Sequence, residues 1–177
     1  MLFRIYYPDA RPVYMDFLEI EKAVLDGKVD AGVLIHESIL NFDENLAVEK
    51  EVWDIWEELA GKGLPLPLGG MALRRSLPLN RAIDIEEILI EGVRAANERK
   101  NELCAKLVSE NLVRISDAML DKYLEMYASN ESIELSDLQL KALDKLYQIG
   151  FEHGLWEAPL KTEDYLIPRH YKKLRNS

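Results

Sequence analysis

The chain has 177 residues, with 22 basic against 32 acidic side chains for a formal net charge of -10, and 48% of its residues are hydrophobic. This composition carries enough apolar surface to bury a core and so excludes a disordered chain. The acidic balance also argues against a nucleic-acid role, because affinity for phosphate backbones comes largely from Lys and Arg.

Met1-Leu2-Phe3-Arg4 has no basic region followed by a long apolar stretch, so the expectation is a cytoplasmic protein without a secretory signal. Residues 2–7 are rich in β-branched and aromatic side chains and are stopped by Pro8-Asp9, which predicts a strand. Asp16-Phe17-Leu18-Glu19 reads as a capping box. It opens a helix with Phe17, Ile20, Ala23 and Val24 at helical spacing, closed by Gly27. Residues 29–35 form a nearly continuous apolar run, the pattern of a strand covered on both faces. Strand, helix and strand predict a parallel βαβ unit.

Further along, residues 46–48 read as a short crossing strand. Residues 49–60 read as a helix with Val52, Trp53, Trp56, Leu59 and Ala60 on one face. Residues 61–70 are apolar but hold Pro65 and Pro67, so they form a loop. That loop is either a close backbone wall around a ligand, through Gly69 and Gly70, or a junction packed on Trp53 and Trp56. Residues 71–75 read as another strand. From Asp84 onward the pattern is helical only. Ile85, Ile88, Leu89, Gly92, Val93 and Ala96 mark one helix, and Leu103, Leu107 and Val108 a second. Ser116 caps a third helix, and Ser136-Asp137-Leu138-Gln139 is a capping box for a fourth that runs to about His153, with Gly150 and Gly154 near its end. The fold class is therefore α/β, divided into a lobe over 1–48 and a crossover, Pro-rich junction and mainly helical remainder over 49–177. No apolar run approaches the ~20 residues of a membrane span. Cys104 stands alone, which excludes an internal disulfide and points to a packing role. The basic residues of 169–175 read as a solvated tail.

Ligands of parallel sheets lie at the carboxyl ends of strands, which directs attention to His36-Glu37-Ser38. An imidazole there can take a proton near neutral pH, or can merely hydrogen-bond a neighbouring loop. His153, at a helix end, and His170, in the basic tail, are weaker candidates. Arg74 and Arg75 read either as carboxylate ligands or as surface residues paired with the abundant acids. Neither metal-ligand spacing nor a phosphate-cradling or dinucleotide glycine motif is present.

Gly27-Lys28-Val29-Asp30-Ala31-Gly32-Val33-Leu34-Ile35-His36-Glu37, followed by Gly63-Leu64-Pro65-Leu66-Pro67-Leu68-Gly69-Gly70, resembles the 1,4-dihydroxy-6-naphthoate synthase family of the futalosine route to menaquinone. The sister family, chorismate dehydratase, typically has Gly-Asp at the His36-Glu37 position. The resemblance implies a type II periplasmic-binding-protein-like fold of two α/β lobes. It implies a lyase that cleaves cyclic dehypoxanthine futalosine to 1,4-dihydroxy-6-naphthoate, releasing a three-carbon sugar fragment, without cofactor or metal. His36 would be the general base, Glu37 and Ser38 supporting groups, and Leu68, Gly69 and Gly70 part of the cleft lining. Trp53 and Trp56 are separated by two residues where relatives often have adjacent tryptophans. Family members also carry further residues ahead of the point corresponding to Leu2, including a Gly-Thr-Thr-type segment that faces the ligand. The expectation is thus an incomplete clamshell, weak or inactive alone, completed by more of its own sequence, a homodimer or a partner. The rival readings are a solute-binding protein of the same fold for a small anion, a chorismate dehydratase-like relative, and a subunit whose helices dock a partner.

Overall fold

A computed structural model of the chain describes residues 1–35, 39–113, 117–127 and 130–167. Seven α-helices succeed one another there: α1 (Leu2–Tyr6), α2 (Ile20–Leu25), α3 (Val52–Ala60), α4 (Leu79–Glu98), α5 (Lys100–Ser109), α6 (Asp117–Tyr127) and α7 (Asp137–Glu152). Turns of 3-10 helix lie at Phe17–Glu19, Asn130–Ser132 and Thr162–Asp164.

Local chemistry sets the helix ends. The Ser136 hydroxyl accepts from the Gln139 N–H at 3.3 Å, and the Gln139 side chain accepts the Ser136 N–H at 2.7 Å, so α7 opens on a complete capping box. The Asp16 carboxylate accepts from the Leu18 N–H at 2.9 Å, which is one half of the expected capping box and falls on Leu18 rather than Glu19, and the chain passes through one 3-10 turn before α2 begins. Three helices stop by the same device, a residue in the left-handed region whose successor turns its N–H back onto the last turn. Gly27 (φ 67°), Asn111 (φ 53°) and Gly154 (φ 67°) hold that position after α2, α5 and α7. The returning bonds run from Lys28 N–H to Ala23 O, Leu112 N–H to Leu107 O and Leu155 N–H to Gly150 O.

The main core is where α1, α3 and α7 meet. Leu2, Ile55, Trp56, Ala142 and Ile149 are buried together, with Ile5, Leu59 and Leu146 packed against them. Helix α5 contacts both α4 and α6, and each of the three buries a small or apolar residue: Ala82 in α4, Cys104 in α5 and Leu120 in α6. The buried Cys104 fills the packing role its sequence context suggests.

Several sequence-based expectations are corrected. Among the described residues there is no strand, so the α/β class, the parallel βαβ unit and the periplasmic-binding-protein-like lobes are not what this chain forms. Residues 2–7 are helical instead. A five-residue run such as Leu2-Phe3-Arg4-Ile5-Tyr6 is too short for its periodicity to separate strand from helix, and the helix lets Leu2 reach Ile55 and Trp56. Residues 29–35 carry no regular structure, and Val33 and Ile35 are exposed rather than covered on both faces. Without a neighbouring extended segment there is no ladder to hold a strand. Residues 46–48 and 71–75 are likewise irregular or turn. In α3 the buried side chains are Ile55 and Trp56, while Val52 and Trp53 are exposed. They occupy the first turn, while Leu59 and Ala60 of the last turn pack against the core. Finally, α4 starts at Leu79, five residues before Asp84, directly after Pro78, whose restricted φ suits a helix start.

Candidate functional site

His36, Glu37 and Ser38 lie outside the described residues. The segment leading to them is held against α2. The Val29 N–H returns to the Ala23 carbonyl, and Gly32 sits so close to Ile20 and Val24 that a Cβ there would collide with the Ile20 methyl.

The loop at 61–70 divides in two. Its first half is a packed junction: the Trp56 indole N–H donates to the Leu64 carbonyl at 2.8 Å, and Leu64 and Leu66 lean on the core. Its second half is open, with Leu68 69% exposed and nothing within 4 Å of the positions a Cβ would take at Gly69 and Gly70. Arg75 is committed elsewhere: it donates to the Asp164 carbonyl at 3.0 Å, and its guanidinium lies 5.0 Å from the Tyr165 ring centroid. This strap crosses back to α7, where the Thr162 N–H donates to Asp144 at 2.8 Å.

A polar cluster that sequence reasoning missed tethers α1 to residues 49–50 and α3. The Tyr7 hydroxyl donates to Glu49, and this bond to a carboxylate pushes the phenol up to about 12. Lys50 pairs with Glu58 at 2.6 Å and lies 4.7 Å from the Tyr6 ring centroid. Glu58 and the Tyr6 hydroxyl hold the lysine above its ordinary value. These tyrosines sit in a run that reads equally as strand, and the lost signal was the helix that brings Tyr6 and Tyr7 to one end. Beside the cluster, α1 and the end of α7 enclose an open groove of about 320 Å³, walled by Phe3, Arg4, Tyr7, Pro8, His153 and Leu155 among others. No group of three or more His, Cys, Asp or Glu among the described residues is placed to hold a metal ion. No helix among them is long and apolar enough to cross a membrane.

The family model described as Menaquinone biosynthesis matches residues 1–152. The chain belongs to the menaquinone biosynthesis family. Among curated relatives, the 1,4-dihydroxy-6-naphtoate synthase of Streptomyces coelicolor is 32% identical over 166 residues, covering 89% of this chain and 57% of the relative. The protein of the same name from Thermus thermophilus is 26% identical over 157 residues, covering 87% of this chain and 56% of its own length. The chain thus spans just over half the length of these family members. No solved structure matches it.

Proposed function

We propose that this chain contributes to the cleavage of cyclic dehypoxanthine futalosine to 1,4-dihydroxy-6-naphthoate, a lyase reaction of menaquinone biosynthesis. The observation that carries this reading is the 32% identity, over 89% of the chain, to a relative named 1,4-dihydroxy-6-naphtoate synthase. His36 is the proposed general base, taking the substrate proton whose loss starts release of the three-carbon fragment. Its support is the Ile35-His36-Glu37 motif, with a histidine suited to proton transfer near neutral pH. Glu37 and Ser38 are proposed as supporting groups, and Leu68, Gly69 and Gly70 as a flexible edge of the ligand cleft. A further polypeptide, equivalent to the part of the relatives outside the match, is proposed to complete that cleft.

The test is product formation, followed by mass spectrometry, from the chain alone and from the chain mixed with the unmatched portion of the Streptomyces relative. Turnover in the mixture, and a loss of about 10²-fold or more on His36→Gln, is the expected result. Product from neither preparation overturns the reading, and undiminished turnover by the variant discards His36 as the base.

A further inference from the structure

The open half of the 61–70 loop runs on to Arg75 almost untied. Among the described residues, none of 67–73 enters a hydrogen bond or ion pair, and residues 68–72 are all exposed. Gly69 and Gly70 have nothing within 4 Å of the place a Cβ would take, so the backbone can pivot there. Arg75 lies six residues after Gly69, a reach of up to ~20 Å for an extended chain.

Both ends of this limb are fixed on one body. Upstream, the Leu64 carbonyl accepts the Trp56 indole N–H, and Leu66 packs on the core that α3 shares with α7. Downstream, the limb is held through the Arg75 side chain, which bonds the Asp164 carbonyl at 3.0 Å and lies 5.0 Å from the Tyr165 ring centroid. Those partners are themselves seated on α7. The Thr162 N–H donates to Asp144, the Tyr165 N–H returns to the Thr162 carbonyl at 3.0 Å, and the Tyr165 ring centroid is 6.3 Å from that of Tyr147. The neighbouring Arg74 side chain makes no hydrogen bond or ion pair among the described residues. A guanidinium suits the task because it can donate a directed bond and lie over a ring at once. At an exposed site such a contact is modest, so it opens and re-forms rather than locking the limb.

We propose that Arg75 is a positioning residue for the Leu68–Gly70 edge: by gripping Asp164 and Tyr165 it holds the free limb of the loop to the α7 strap, and its release lets the limb swing about Gly69 and Gly70. The positioning role rests on the reading of that edge as part of the ligand cleft, while the grip itself needs no ligand.

The test is limited proteolysis of the full chain with thermolysin, which cuts ahead of bulky apolar residues such as Leu68, Met71 and Leu73, with the nicks placed by mass spectrometry. Arg75→Gln should be nicked within 67–73 about fivefold faster than the parent, because nicking follows the population of the open limb, with cleavage ahead of the exposed Val13 unchanged. Tyr165→Leu should match it, the double variant should be no faster than either, and Arg74→Gln should behave like the parent. Unchanged nicking in Arg75→Gln, additive effects in the double variant, or equal acceleration at Val13, which marks general destabilisation, overturns the grip. In the mixture with the unmatched portion of the Streptomyces relative, Arg75→Gln should raise KM about fivefold while kcat stays within about twofold. Turnover with unchanged KM overturns the positioning role. A mixture that forms no product overturns the lyase reading and leaves the grip to be decided by the nicking rates.

Discussion

Gly150 lies beneath Trp156, whose indole N–H donates to the Tyr147 carbonyl at 2.9 Å. A Cβ at this position would fall inside the indole ring, and the ring cannot swing away without giving up that bond. In an exposed helix, replacing Gly by Ala stabilises by about 1 kcal/mol through backbone entropy. Overpacking a fixed ring costs roughly 1–3 kcal/mol, so the sign reverses at Gly150. The expected pair of outcomes is destabilisation by Gly150→Ala and stabilisation by Gly92→Ala, since nothing lies within 4 Å of the latter Cβ. Urea unfolding midpoints that move in the same direction would refute the packing account. Asp144 sets a pH dependence at the same scale. The Thr162 hydroxyl approaches its carboxylate without reaching good hydrogen-bond geometry, and the Thr162 N–H donates to it at 2.8 Å. Together they hold the Asp144 carboxyl below the usual range. A depressed carboxyl adds stability above its unfolded value of about 3.9, and that contribution fades as the pH falls below it toward the folded value. Anchoring of the Thr162–Asp164 turn should therefore weaken on acidification below about pH 4, seen as a change in Tyr147, Trp156 and Tyr165 fluorescence. In Asp144→Asn that particular acid transition should be missing.

Helix ends carry the argument at the scale of elements. Gly27 and Gly154 were legible as stop signals because a left-handed residue after a helical run is most easily glycine. Asn111 does the same work after α5 without glycine's freedom, which is why no stop signal stood out there. Asn111→Ala places an ordinary side chain at φ 53° and should cost about 1–2 kcal/mol, while Asn111→Gly should be neutral or better. Thermal midpoints of the two variants check this, and equal midpoints would refute it. The Ser136 box was equally legible, since both partners lie within one turn. The face that α3 turns inward was legible in part, since Trp56, Leu59 and Ala60 pack in the core as their spacing suggested. Asp54, Glu57 and Glu58 mark the outer side of the helix, and the positions of α1 and α7 decide that Ile55 joins Trp56 in the core while Val52 and Trp53 stay exposed.

At the scale of the whole molecule, the accessible surface is 13166 Å². A compact monomer of 20.4 kDa would expose about 8,800 Å² by the usual scaling with mass. The excess matches the sparse core: Val13, Tyr14, Leu68, Met71, Ile88 and Leu112 each stand more than 60% exposed. X-ray scattering on the isolated chain should accordingly give a radius of gyration above the ~16 Å of a compact domain of this length. A value at or below that would refute the open arrangement. Of the proposed catalytic site, His36, Glu37 and Ser38 lie outside the described residues, and their proposed roles come from the family resemblance of the Ile35-His36-Glu37 motif. The groove lined by Arg4 and His153 was not legible, because 149 positions separate the two residues and no local pattern links them.

The amino-acid sequence by itself determined the features whose cause lies within a few residues. These are the Asp16 and Ser136 starts, the Gly27 and Gly154 stops, the irregular Pro65-Pro67 loop, the helical run that ends in α7, and the motif that marks the family. Tertiary structure decided whether residues 2–7 and 29–35 became strands. A strand needs its hydrogen bonds supplied by another extended segment, whereas a helix satisfies its own. Leu2–Tyr6 coils and packs on Trp56, and no extended neighbour stands beside residues 29–35 among the described residues.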